Sequence, residues 1–194
     1  MLKGYSIQYR FMLPSEIKHS SYTYQKLFRA LYGYTQQVHK SNGKIYKYHR
    51  AGILSNMPYY RSAKNTVVIH PFFFQTIIEF FKTGKNPTHL WRQKGEWKAV
   101  YYMNEIQVND NQAIGALEKV LDRKTTIING ISIGIKEEIR KAVESNDLEA
   151  QKTLFQVFRD IVNLDWFQQT YSTSPKLSEF YEYFKQMKSK QKTF

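Results

Sequence analysis

The sequence contains no cysteine and no long uninterrupted apolar run. The absence of cysteine excludes disulfide bonds and thiolate metal ligands. The most apolar segment, Val67–Phe81, has 15 residues and is interrupted by polar residues such as Gln75 and Glu79, whereas a membrane-spanning helix needs about 20. The N-terminal residues have neither the apolar core nor the cleavage site of a signal peptide. We therefore expect a cytoplasmic protein without a membrane span.

Acidic residues are missing from a long part of the N-terminal half. The 62 residues 17–78 contain no Asp or Glu, but they contain nine Lys and Arg and eight Tyr. Residues 1–100 hold 16 Lys and Arg against three acids, and residues 101–194 hold 13 of each, so the first half carries the whole net charge of +13. A surface that serves only solubility normally mixes both signs. The asymmetry therefore favours a polyanionic partner. Among such partners, nucleic acid is favoured over an anionic membrane.

Strand and helix patterns alternate along residues 1–108 in the order β-α-β-β-α-β. Period-two alternation predicts strands at KGYSIQYRFML, KIYKYHRAGIL, NTVVIHP and WKAVYYMNEIQV. Helical spacing predicts helices over residues 20–43 and 71–84, and SNMPYYRSAK, residues 55–64, is predicted to be a loop. We expect an α+β protein with a ferredoxin-like β-α-β-β-α-β N-terminal half and a helical C-terminal half. Many RNA-binding modules share this layout, but NTVVIHP lacks the glycine and aromatics of the RNA-recognition motif, so the similarity stops at topology.

Residues 109–194 form the second predicted region, which is charge-neutral and mainly helical. The segment TTIINGISIGI is either a hairpin with its turn at Asn129-Gly130 or a linker between helices. A last helix begins at Pro175, behind the capping residue Ser174. One side of this helix carries the large side chains of Leu177, Phe180, Tyr181, Phe184 and Met187. This stripe either packs inside the chain or forms a self-association surface.

The titratable residues do not form a recognisable catalytic or metal-binding motif. The five histidines are spaced by 20, 10, 21 and 19 residues, unlike the short spacings of paired metal ligands. Glu16, Glu79 and Glu105 form a topologically possible but poor carboxylate group for a two-metal nuclease. The glycine-rich loops that bind nucleotide phosphates are also missing. We therefore expect no cofactor and no metal, and the sequence favours a non-catalytic protein over an enzyme.

Tyrosines that alternate with cations indicate how nucleic acid is bound. In KIYKYHR, aromatic rings suited to stacking on unpaired bases lie beside cations suited to phosphates. Duplex recognition would instead favour a basic helix, so we expect a preference for single-stranded DNA or RNA. A second basic and aromatic segment precedes the last strand. The predicted nucleic-acid-binding residues are Lys44, Tyr46, Lys47, Tyr48, His49, Arg50, Tyr59, Tyr60, Arg61, Lys64, Lys82, Lys85, Trp91, Arg92 and Lys94.

These patterns together predict a non-catalytic nucleic-acid-binding protein that prefers single strands and assembles into a homo-oligomer through its C-terminal helices. Two alternatives remain open. A structural coat or nucleoid protein that polymerises on nucleic acid would form filaments and bind long strands cooperatively. A metal-dependent nuclease would cleave nucleic acid only when a divalent metal is present.

Overall fold

The computed structural model describes residues 1–39, 41, 43, 45–84, 97–122, 124–128 and 131–191, with the backbone alone for 46–49, 124–128, 131–134, 190 and 191. The strands are β1 (Leu2–Met12), β2 (Tyr34–His39), β3 (Ile45–Arg50), β4 (Tyr59–Ala63), β5 (Thr66–Ile69), β6 (Lys98–Val108), β7 (Lys124–Ile128) and β8 (Ile131–Gly134). The α-helices are α1 (Tyr22–Tyr32), α2 (Phe74–Thr83), α3 (Asp110–Leu121), α4 (Ile135–Glu144), α5 (Leu148–Val162), α6 (Asp165–Thr170) and α7 (Pro175–Gln191). Strand pairing is antiparallel, which confirms the α+β class.

The chain divides into two compact units. The first unit is Lys3–Gln107, and the second is Val108–Phe194 together with Met1–Leu2. The first unit carries 16 Lys and Arg against four acids, a net charge of +12, and the second carries 13 against 12, a net charge of +1. The charge asymmetry of the sequence is therefore also an asymmetry between the two folded units.

A four-stranded sheet with the strand order β4-β5-β1-β6 organises the first unit. β5 pairs antiparallel with β4 on one side and with β1 on the other. β1 and β6 also run in opposite directions, because Phe11 contacts Trp97 at 5.6 Å between ring centres while Lys3 forms a 2.8 Å salt bridge with Glu105. Arg10 and Lys98, the neighbours of Phe11 and Trp97, therefore lie at the same end of this strand pair.

One face of this sheet is buried beneath α1 and α2. Every second residue of β1 from Tyr5 to Phe11 belongs to or packs against one apolar cluster, which also contains residues of both helices. The ring centre of Phe11 lies 5.3 Å from that of Phe28 in α1 and 6.4 Å from that of Phe80 in α2. Aromatic side chains bury roughly 150–250 Å² each, so this cluster supplies a large part of the stability of the first unit.

The first helix is shorter than the sequence predicts. α1 begins after Ser21, whose Oγ accepts a hydrogen bond from the N–H of Tyr24 at 3.2 Å. It ends at Tyr32 rather than near residue 43, because Gly33 adopts φ 76° and ψ 174°, outside the helical region. The N–H of Gly33 donates to the carbonyl of Arg29 at 2.8 Å and closes the last turn. The residues that follow form β2, which pairs with β3.

The second strand of the four-stranded sheet also differs from the prediction. The predicted strand around residues 45–50 is β3, but it pairs with β2 in a separate two-stranded sheet. The place beside β5 is taken by Tyr59–Ala63, where the sequence predicts a loop. The turn between β4 and β5 includes Asn65, which has φ 55°, a conformation that asparagine tolerates in tight hairpins. Hairpin pairing with β5 therefore overrides the loop signal of SNMPYYRSAK.

The second unit contains α3–α7 and the β7–β8 hairpin. The hairpin alternative for TTIINGISIGI is therefore the correct one, although Asn129 and Gly130 lie outside the described residues. α5 and α6 are separate helices, because the chain leaves the helical conformation at Leu164 before α6 begins. Ser174 caps α7 as predicted, since its Oγ accepts from the N–H of Leu177 at 3.2 Å. Within the described ranges, each helix is too short or too polar to span a bilayer.

Candidate nucleic-acid interface

The β2–β3 hairpin carries the first group of predicted binding residues. Its strands pair in register from Tyr34 opposite Arg50 to His39 opposite Ile45. Arg50 is exposed at the base of the hairpin. The predicted residues whose side chains lie outside the described part of the structure are Lys44, Tyr46, Lys47, Tyr48 and His49.

Two glycines hold the ends of this hairpin together. A Cβ atom on Gly52 would lie 2.2 Å from the backbone nitrogen of Gly33, and one on Gly33 would lie 2.6 Å from the carbonyl oxygen of Arg50. The N–H of Gly52 donates to the Oγ of Ser55 at 2.8 Å. Because only glycine allows two backbones to approach so closely, this crossing fixes the hairpin directly after the end of α1.

A strip of cations and tyrosine rings runs along α1 to the base of the hairpin. The Nζ atom of Lys26 lies 4.8 Å from the ring centre of Tyr22. The guanidinium carbon of Arg29 lies 5.3 Å from the same ring and 4.9 Å from that of Tyr34, which are cation–π distances. Together with Arg50, which pairs with Tyr34, these residues form what we call the cation–tyrosine strip.

The sequence prediction missed the part of this strip that lies on α1. Tyr22, Lys26 and Arg29 recur at the i, i+4 and i+7 spacing of one helix face, and that spacing, in a segment without acids, was the available signal. Tyr22 is 60% exposed, so a ligand can reach this residue although two cations lie near its ring.

The predicted residues in and after β4 differ in their exposure. Tyr59 packs against the core cluster, with its ring centre 6.0 Å from that of Tyr32. Tyr60 lies on the opposite face of β4, where burial raises the pKa of its hydroxyl. Arg61 and Lys64 are exposed. The two cations are thus accessible to a ligand, whereas packing partly covers the two rings.

Arg61 lies beside a pair of half-buried tyrosine hydroxyls. The Oη atoms of Tyr9 and Tyr32 are 2.7 Å apart, and the guanidinium carbon of Arg61 lies 5.3 Å from the ring centre of Tyr32. Desolvation is the largest of the causes that raise the pKa of both hydroxyls. A nucleophilic tyrosine would need a lowered pKa or an adjacent base. The hydrogen bond between the two hydroxyls joins β1 to α1.

The second predicted cluster is described only at its two ends. Lys82 is exposed in the last turn of α2. The predicted residues that lie outside the described part of the chain are Lys85, Trp91, Arg92 and Lys94. Trp97 is buried, and its ring centre lies 5.7 Å from that of Phe80. This second tryptophan of the segment therefore belongs to the core rather than to a binding surface.

Carboxylates do not converge in the described part of the chain. No three side chains of His, Asp or Glu in these ranges are placed to hold a metal ion. Glu16, Glu79 and Glu105 therefore do not form the group considered for a nuclease. Glu105 instead pairs with Lys3 at 2.8 Å.

Alternate residues in 8–12 of β1 and in 98–104 of β6 form an open surface on the side of the sheet that faces away from α1 and α2. Their side chains are all exposed and include no acid, and they are Gln8, Arg10, Met12, Lys98, Val100, Tyr102 and Asn104. We call this surface the outer sheet face. The exposed fraction is 69% for Tyr102, 57% for Val100 and 51% for Met12. The sequence prediction missed this surface, although the period-two alternation of both strands contains its signal.

The stripe predicted for self-association is buried within the second unit. The buried residues are Leu177, Phe180, Phe184 and Met187. The ring of Phe184 stacks on that of Phe155 at 4.7 Å between centres, and the half-buried ring of Tyr181 lies 4.6 Å from that of Tyr171. These contacts correct the expectation that the stripe is open to a second copy. The alternative of packing inside the chain describes it instead.

Comparison with protein families, with curated proteins and with solved structures finds no match to this chain. The interface is therefore assigned from the charges, exposure and contacts of its own residues.

Proposed function

We propose that this protein is a non-catalytic nucleic-acid-binding protein that prefers single strands and binds them through the first unit. The observation that carries the proposal is the cation–tyrosine strip, in which cations lie against tyrosine rings in a segment without acids. Most of the α7 stripe is buried within the second unit, so the proposal concerns the first unit alone.

The two tyrosine rings beside Arg29 favour phosphate binding. A guanidinium near the rings of Tyr22 and Tyr34 loses less freedom when a ligand arrives than an unsupported arginine side chain would. Its N–H groups are donors suited to the paired oxygens of a phosphate. Arg50, opposite Tyr34 on the neighbouring strand, adds a second cation for the next contact along a polyanion.

The charge of the whole unit supports the same partner. A net charge of +12 on the first unit attracts a polyanion from a distance and raises the rate of encounter. Lys and Arg that contact phosphates release counterions, so binding should weaken steeply as salt rises. The near-neutral second unit, with a net charge of +1, has no such attraction.

Exposed tyrosine favours single strands over duplex. The ring of Tyr22 is 60% exposed, and a base that is free of its complement can stack on such a ring. Duplex recognition uses extended cationic side chains along a groove, whereas Lys26 and Arg29 lie near rings. The first unit therefore suits unpaired bases with their phosphates.

The finer fold of the first unit is part of the proposal. The strand order β4-β5-β1-β6, with α1 between β1 and β4 in the chain and α2 between β5 and β6, supports a ferredoxin-like arrangement. In it, β4 is the second strand, and the β2–β3 hairpin is an insertion after α1.

The test is a binding titration of the full chain with fluorescein-labelled oligonucleotides of about 15 nucleotides, oligo-dT and oligo-U, and with a duplex of the same length. Anisotropy is measured from about 50 to 200 mM salt. We expect the single strands to bind more tightly than the duplex, with an affinity that falls as salt rises. Arg29→Ala and Arg50→Ala should each reduce the slope of log affinity against log salt by about one or less.

Arg159→Ala is the control, because Arg159 is an exposed arginine of the second unit. It should leave both affinity and slope unchanged. An affinity that does not depend on salt, or an equal loss in Arg159→Ala, would contradict phosphate binding by the first unit.

A further inference from the structure

We infer that the outer sheet face is the platform on which the bases of a single strand stack, a role that rests on the proposed function and gives it a second site. This surface is separate from the cation–tyrosine strip, because it lies on the face of the sheet that α1 and α2 do not cover. Its ligand is a run of unpaired nucleotides, whose bases contact the apolar side chains while their phosphates contact the cations.

The apolar side chains of this face are placed where a ligand can reach them. Val100 and Tyr102 are two residues apart on β6, so their side chains are neighbours on one face. Their exposed fractions of 57% and 69% leave an apolar surface in water, which is typical of interaction sites when several such residues adjoin. A flat sheet with an exposed ring accepts the face of any base.

The two cations of this face have no acidic partner among the described residues. Arg10 and Lys98 are the sequence neighbours of Phe11 and Trp97, whose rings are in contact, so the two cations lie near each other on neighbouring strands. Like charges directly across a pair of strands destabilise a sheet. In the described part of the chain, neither cation takes part in a salt bridge. A phosphate between Arg10 and Lys98 would remove this repulsion, so the bare sheet favours an anionic ligand.

A second copy of the chain fits this surface less well than a nucleic acid does. A symmetric dimer places the same patch on both sides of its interface, so it would bring two Arg10–Lys98 pairs together. The centres of protein interfaces are depleted of lysine and of unpaired charge. A single strand instead supplies phosphates for the cations and bases for Val100 and Tyr102.

The experiment compares two variants that introduce the same acid at positions of equal exposure in the full chain. Val100 on the outer sheet face and Val157 in α5 are both 57% exposed. Val100→Glu places a carboxylate beside Arg10 and Lys98, so it should weaken binding of labelled oligo-dT and oligo-U by about tenfold or more. Val157→Glu adds the same charge to the second unit, and it should change affinity by less than about twofold.

Substitutions at Tyr102 separate stacking from charge. Tyr102→Ala should weaken binding by roughly 5- to 150-fold, which is the range for loss of one base–aromatic stack. Tyr102→Phe keeps the ring and should bind within about twofold of the wild type. The salt slope should stay the same in both variants because no cation is removed. Circular dichroism checks that each variant is folded, and the high exposure of Tyr102 predicts that it is.

The outcomes distinguish this inference from the proposed function. If the wild type binds the oligonucleotides but Val100→Glu and Tyr102→Ala bind equally well, the outer sheet face is not the platform, and the proposed function stands. If the wild type binds neither oligonucleotide at low salt, both fail. A wild type that is a dimer in light scattering, and that Val100→Glu converts to a monomer with unchanged affinity, would assign the face to a second copy and overturn the inference.

Discussion

Gly52→Ala should destabilise the first unit more than the addition of one methyl group normally does. Its Cβ atom would lie 2.2 Å from the backbone nitrogen of Gly33 and 2.7 Å from the carbonyl oxygen of Leu31. Non-bonded carbon contacts are comfortable at about 3.5–4.0 Å, so one of the two backbone segments must move by about 1 Å or more. Overpacking usually costs about 1–3 kcal/mol. Because both neighbouring groups are backbone, we expect a loss of about 3 kcal/mol or more in the free energy of unfolding.

Other glycines serve as controls that separate steric overlap from backbone conformation. Gly52 has φ −104°, which alanine adopts freely, so its cost is steric alone. Gly43 has φ 74° with open space around the Cβ position, so alanine there should cost about 1–2 kcal/mol of conformational energy. Gly115 lies inside α3 with open space, and Gly115→Ala should stabilise the protein by roughly 0.5–1 kcal/mol. Alanine at Gly33 would combine both effects, because its Cβ atom would overlap neighbouring backbone and its φ would be 76°.

The assay is urea unfolding followed by far-ultraviolet circular dichroism, together with hydrogen exchange of peptides that cover residues 34–57. Gly52→Ala should shift the unfolding midpoint downwards and should increase exchange first in the hairpin and at residues 53–56, which follow the crossing. A Gly52→Ala variant whose stability lies within about 0.5 kcal/mol of the wild type would refute the close approach of Gly33 and Gly52, particularly if Gly115→Ala shows its expected gain.

Two further predictions concern the interior of each unit. Phe180 is fully buried, 5.5 Å from Phe158 and 5.9 Å from Phe167 between ring centres, so Phe180→Ala should lower the free energy of unfolding by about 3–5 kcal/mol in the same urea assay. A folded Phe180→Ala variant of unchanged stability and smaller mass in light scattering would instead support an intermolecular stripe. Burial raises the pKa of Tyr9 and Tyr32 above the ordinary value of 10.0, so the unfolded chain releases these two protons at lower pH than the folded chain does. Stability should therefore fall as pH rises through about 10, and the Tyr9→Phe/Tyr32→Phe double variant should show a smaller fall between about pH 9 and 11; equal falls would contradict the burial of the hydroxyl pair.

Local patterns predicted the elements whose periodicity is confined to a single segment. β1 and β6 follow from strict alternation, and α2 follows from an apolar stripe that ends at Gly84, whose φ is 70°. Helical spacing failed beyond α1 because Leu27, Leu31, Tyr34 and Val38 keep that spacing across Gly33. Within this segment, only Gly33 indicates where the helix ends. The strand that pairs with the residues after Gly33 extends to Arg50 and so lies outside the segment that shows the helical spacing.

The candidate site was harder to predict because exposure depends on which strand pairs with which. Tyr59 lies in a segment that the sequence predicts to be a loop, yet β4 pairs with β5 and the ring of Tyr59 packs against the core cluster. On α1, the aromatic residues Tyr24, Phe28 and Tyr32 with their apolar neighbours indicate a buried face, whereas Tyr22 is 60% exposed. The charge asymmetry, which depends on composition alone, was predicted directly and reappears in the two units.

The first unit begins and ends on the neighbouring strands β1 and β6, so it is a compact segment whose two ends are close together. Lys3 on β1 and Glu105 on β6 form a 2.8 Å salt bridge, so the two ends of the segment Lys3–Gln107 lie side by side. A short linker between them would close the segment into a ring, and new termini opened at the exposed turn of Lys64 would leave the strand order β4-β5-β1-β6 unchanged. The same adjacency would let this segment be carried as an insertion in a loop of another protein, with its own core and its binding surfaces included.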